Sequence, residues 1–108
     1  MLSAGLVRAL RADVPRGDVV LSDPETSYRI AAEAPVYVVA APPAHVADTR
    51  QNRPRARARE VALYLNNLDP TVPGRYGARW VVVDTRRSDF RPKGRRIYSD
   101  ARYSLYRL

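Results

Sequence analysis

The chain contains no cysteine and only one histidine, His45. Disulfides, thiolate zinc sites and cysteine nucleophiles are therefore excluded together, and a multi-histidine metal centre with them. A metal would have to be a hard cation held by carboxylates, and neither a metal nor a cofactor is expected. Lysine is nearly absent too: 18 of the 19 basic residues are arginine, with Lys93 the exception. No apolar run approaches the roughly 20 residues needed to cross a bilayer. Met1–Leu10, with Arg8 inside it, lacks the apolar region of a signal peptide. Glycine-rich phosphate loops, a Gly-x-Ser-x-Gly elbow, and RRM, KH or helix-turn-helix signatures are missing as well.

What is present is a basic chain of 108 residues, 45% hydrophobic, with a net charge of +8. That size suits one modest α/β domain spanning residues 1–108, expected to be soluble as an isolated piece. An excess of arginine, whose planar fork grips phosphate and carboxylate, points to an anionic partner. A GC-rich genome, which favours arginine and alanine codons, yields the same bias without any function.

The chain alternates helix and strand patterns. Leu2, Leu6, Ala9 and Leu10 recur at helical spacing and predict a helix over residues 3–13, ended by Pro15-Arg16-Gly17. A buried strand follows at 18–22. Asp23 then offers an N-cap oxygen and Pro24 takes the first helical position, starting a helix over 24–33. A second strand is expected at 36–40 and a proline-broken loop at 41–53. Pro54 opens a helix running to 68, with Val61, Tyr64, Leu65 and Leu68 on one face. A third strand covers 80–84, a basic loop 85–95, and a hairpin pairs 97–98 with 103–108. The expected fold is a small three-layer Rossmann-like sandwich, a mostly parallel sheet with a C-terminal antiparallel hairpin. Its last strand would form an exposed edge, with Arg102 and Arg107 discouraging pairing to another chain.

Three groups of residues could carry chemistry. In open α/β sheets, ligands sit at the carboxyl ends of strands, which makes Ser22, Asp23, Thr26, Ser27, His45 and Asp84 candidate ligand-binding residues. Asp23, His45 and Asp84 could support acid–base work in a small hydrolase or phosphotransferase, although Asp23 serves equally as a cap. Arg50, Arg53, Arg55, Arg57 and Arg59 stand at the entry to a helix and could clamp an anion, with Glu60 placed to pair with Arg57. Arg86, Arg87, Arg91, Lys93, Arg95 and Arg96 lie near Tyr98, Tyr103 and Tyr106, a mixture that stacks on bases or pairs across a hairpin.

Three segments together carry a family resemblance: Val-Val-Leu-Ser-Asp-Pro-Glu-Thr-Ser-Tyr at 19–28, Val-Tyr-Val-Val-Ala-Ala-Pro-Pro-Ala-His at 36–45, and Ile-Tyr-Ser-Asp-Ala-Arg-Tyr-Ser-Leu-Tyr-Arg-Leu at 97–108. The chain resembles the C-terminal extramembrane portion of bacterial multi-pass membrane glycosyltransferases of the GT-C type. The resemblance implies a parent enzyme that moves a sugar from a polyprenyl-phosphate donor at the outer face of the plasma membrane. It implies catalytic carboxylates in loops between membrane spans, so no catalytic residue carries over to this chain. The domain would be accessory, partnered by the membrane portion of its own polypeptide and by anionic lipid or lipid-linked sugar phosphate. The abrupt first helix would continue a membrane-proximal one. The competing expectation is a freestanding arginine-rich module for nucleic acid or another polyanion, testable by salt-dependent binding.

Overall fold

A computed structural model describes all 108 residues. The fold is α/β, with four α-helices and a five-stranded mixed sheet. In chain order the elements are α1 (Ala4–Asp13), β1 (Val19–Leu21), α2 (Pro24–Glu33), β2 (Tyr37–Val38), a 3-10 turn (Pro43–His45), α3 (Pro54–Leu65), α4 (Val72–Arg75), β3 (Ala78–Asp84), β4 (Arg95–Ser99) and β5 (Tyr103–Arg107). No helix is long and apolar enough to cross a membrane.

Local chemistry explains the helix starts. The Ser3 hydroxyl accepts the Leu6 N–H at 3.2 Å and caps α1. The Asp23 carboxylate accepts the Thr26 N–H at 3.0 Å, with Pro24 at the first helical position, as its sequence predicts. α3 also opens on a proline but has no side-chain cap; Arg53 instead turns into it with φ 40°, in the left-handed region.

The sheet order is β2-β1-β3-β5-β4. β1 pairs in parallel with both β2 and β3, while β5 runs antiparallel to β3 and β4. Half of the pairings are therefore antiparallel, where a mostly parallel sheet was expected. The last strand is also not the edge: β5 sits between β3 and β4, with Tyr103, Leu105 and Tyr106 buried. The edge is β4, whose Arg95 and Arg96 tolerate solvent and blunt pairing with another chain. Arg95 and Arg96, read from sequence as loop, thus begin a strand. β2 keeps only two residues of its expected five, since it too is an edge and pairs on one side alone.

Apolar side chains fill both faces of the sheet. Leu6 and Leu10 of α1 and Ile30 of α2 pack with Val20, Val82 and Leu105 on one face. Val61 and Tyr64 of α3 and Val72 of α4 pack with Leu21, Val81, Val83 and Tyr106 on the other. Leu6 and Leu10 are fully buried, each contributing roughly 2 kcal/mol. Two irregularities set the register. Val19 faces Ala78 and Val20 faces Trp80, so Arg79 is an extra residue that sends Ala78 and Trp80 to opposite faces. In β4 the extra residue is Ile97, which lets neighbouring Ile97 and Tyr98 both reach the face covered by α1. α3 stops at Leu65 rather than 68, and Asn67 at φ 60° turns the chain away.

Candidate functional site

β1 has β2 on one side and β3 on the other, so the chain leaving β1 and the chain leaving β2 travel in opposite directions. A crevice opens where such connections diverge, outside the carboxyl ends of the strands. Here it lies between Asp23, after β1, and Asp84, at the end of β3. The cleft has a volume of about 460 Å³, walled by Val61 and Leu65 of α3 and by the Thr85–Asp89 segment.

Asp84 is the centre of this cleft. Its side chain is wholly buried, and Arg102 grips it through Nε, at 3.2 and 3.3 Å from the two oxygens, and through Nη2 at 3.0 Å. The Arg86 N–H donates to the same carboxylate at 3.1 Å, and the Arg87 Nε lies 3.5 Å away. Burial works against ionisation, yet the hydrogen bonds from Arg102 and the Arg86 N–H, with the Arg102 and Arg87 charges, hold this carboxyl below its usual range. Arg87 also reaches Asp23 at 3.7 Å, so one guanidinium bridges the two strand ends. Asp84 is thus an ionised, saturated acceptor, unsuited to taking or giving a proton near neutrality.

The other residues expected here divide clearly. Ser22 and Ser27 are buried fasteners: the Ser22 hydroxyl donates to the Val82 carbonyl at 2.7 Å, and Ser27 donates to the Ser22 carbonyl at 3.1 Å. Thr26 is buried and its hydroxyl has no partner. His45 stands apart, exposed in the 3-10 turn, with its ring stacked on Tyr28 at 5.0 Å. It shares no ion pair with Asp23 or Asp84, and no three His, Asp or Glu side chains gather closely enough to hold a metal ion.

No protein-family model, curated protein or solved structure matches this chain.

The arginines around α3 do not converge on one point. Arg57 faces inward: Nη1 donates to the Val39 carbonyl at 3.2 Å, Nη2 to the Gln51 carbonyl at 3.3 Å, and its guanidinium lies 4.8 Å from the centre of the Tyr76 ring. It pins the 41–53 loop against the helix. The pairing expected between Glu60 and Arg57 is not made; Glu60 pairs with Arg53 at 3.7 Å and Arg75 at 3.3 Å, and accepts the Tyr76 hydroxyl. Arg55 meets Asp48 at 3.7 Å, while Arg50 and Arg59 are exposed and enter no ion pair.

Two residues of consequence went unread in the sequence. Arg102 was seen only as an edge charge, yet it is the principal partner of Asp84. Asp100 accepts hydroxyl hydrogens from Ser3 and Tyr98, each at 2.5 Å, and the N–H groups of Arg102 and Tyr103, each at 2.8 Å. Burial opposes its charge, but these four donors hold its pKa far below the ordinary carboxylate value. An Asp opening a hairpin turn is a readable signal for the two N–H bonds, though not for Ser3.

Proposed function

We propose that this chain is a non-catalytic accessory domain, the extramembrane C-terminal part of a polyprenyl-phosphate-sugar-dependent membrane glycosyltransferase at the outer face of the bacterial plasma membrane. The observation carrying the non-catalytic half is the saturation of Asp84, the one fully buried carboxylate, by Arg102, Arg87 and a backbone N–H. With that group engaged and His45 elsewhere, the carboxyl edge holds no acid–base pair. Support for the parent enzyme comes from the three resembling segments. The order β2-β1-β3, with helices against both faces, is compatible with a reduced Rossmann-like three-layer sandwich. Exposed Arg50 and Arg59, with Leu63 exposed one turn after Arg59, suit an anionic lipid surface, where each basic residue is worth about 1 kcal/mol.

The test mixes the purified chain with phosphatidylglycerol or phosphatidylcholine vesicles at low and high salt and measures co-sedimentation. The expected result is anionic preference that high salt removes, together with no turnover of phosphate or carboxylate ester substrates. Equal partitioning removes the lipid contact. Turnover abolished by Asp84→Asn overturns the accessory reading in favour of a small hydrolase or phosphotransferase. A freestanding polyanion module is favoured instead if single-stranded DNA binds with a salt slope reporting several phosphates.

A further inference from the structure

At the opposite, amino edge of the sheet a second cleft of about 930 Å³ opens between the end of α3, the turn leading into α4 and the Asp89–Lys93 segment. That size lies within the roughly 300–1,000 Å³ of small-molecule sites. Tyr64 and Phe90 meet edge to face at 5.0 Å and 78°, and Pro73 adds an apolar wall. Tyr64, only 5% exposed, is part of the cleft wall, and no protein group hydrogen-bonds its hydroxyl. Arg91 and Lys93 stand on the same rim with no carboxylate in ion-pair range. Asp89 is the one acidic side chain there.

Arg107 and its cross-strand partner Arg95 do not add to this rim: Arg107 lies over the Trp80 ring at 5.3 Å, on the other face of the sheet, and donates to the Leu108 carbonyl at 3.0 Å. The cationic character of the cleft rests on Arg91 and Lys93. An unpartnered hydroxyl beside unpaired cations and aromatic walls has the composition of a site for an anion with an apolar body.

We infer that this cleft binds a phosphate monoester carrying an aromatic or apolar group, with Arg91 and Lys93 on the phosphate, Tyr64 as hydrogen-bond donor and Phe90 against the organic part. Burial keeps the Tyr64 hydroxyl protonated far beyond neutrality, so it donates at any physiological pH. The inference does not rest on the accessory-domain reading, although Asp89 lines both clefts.

Phenyl phosphate, inorganic phosphate and phenol would be titrated into the chain by calorimetry, with nuclear magnetic resonance mapping the shifted residues. Phenyl phosphate is expected to bind one-to-one, at least tenfold tighter than either fragment alone. Tyr64→Phe should weaken it about tenfold, and Arg91→Gln with Lys93→Gln by more, with loss of the salt dependence. Asp89→Asn, which removes the opposing charge, should tighten it a few-fold. No saturable binding of phenyl phosphate overturns the inference. So does equal affinity for inorganic phosphate, binding untouched by all these variants in folded protein, or shifts confined to the Asp84 cleft.

Discussion

The two edges of the sheet handle charge in opposite ways. At the carboxyl edge, Asp23 and Asp84 are bridged by Arg87, and Asp84 is closed off by Arg102. Toward the amino edge, Arg91 and Lys93 meet no side-chain carboxylate, and no protein group hydrogen-bonds the Tyr64 hydroxyl. The edge that doubly wound sheets reserve for ligands is internally satisfied here, while the edge usually left to turns retains binding capacity. Position in a fold suggests where to look; the satisfaction of each polar group decides whether anything can bind there.

The sharpest way to break this contrast is Asp84→Ala. It strands Arg102 and Arg87 against a buried pocket and should cost about 3 kcal/mol, read as a lowered urea midpoint at unchanged slope. A loss below about 0.5 kcal/mol would mean the carboxyl edge is no more tied down than the surface.

Next in size is Asp100→Asn, with an expected loss of about 2 kcal/mol at neutral pH. Asp84 and Asp100 both have folded-state pKa values below their unfolded value of about 4. Their contribution is therefore present above that value and lost as pH falls through the folded-state pKa values. The Asp100→Asn variant should show a flatter acid limb in a series of denaturant midpoints. An unchanged acid limb would remove Asp100 from the account.

The amino edge should show its signature at the other end of the scale. Burial pushes the Tyr64 phenol up to about 12, above its unfolded value of about 10. Its stabilising effect is complete below the unfolded pKa and disappears as pH rises through the folded one. Tyr64→Phe should leave stability at neutral pH nearly unchanged and remove the part of the alkaline fall that lies between about pH 10 and 12. The smallest effect is expected from Arg95→Gln, which relieves the like-charge pair with Arg107 and should stabilise by a few tenths of a kcal/mol. A destabilisation there would show that the pair is not repulsive.

Much of the framework was legible in the sequence because its signals are local. The span of α2 is bounded by its cap, Asp23-Pro24, and β3 by its run of valines. Charged Arg95 and Arg96 read as loop, since nothing local shows that a strand will lie at an edge. α4 carries no helix signal in the sequence, because Val72-Pro73-Gly74 contains residues that usually break helices. In the candidate site, the importance of Asp84 was legible from its place at a strand end. Its partner was not, because Arg102 lies 18 residues away and approaches only when β5 inserts beside β3. Tyr64 was assigned to the core, correctly for its ring, but a periodicity cannot reveal that its hydroxyl lacks a partner.

The Ser3 hydroxyl does two tasks at once: it caps α1 and donates to Asp100 in the β4–β5 turn, across 97 residues of chain. That single contact closes nearly the whole polypeptide into a ring, and loop-closure entropy is paid in full before it rewards. The first helix should consequently settle last, onto a hairpin already formed, and the opening residues would act as the final clasp of assembly rather than its starting point.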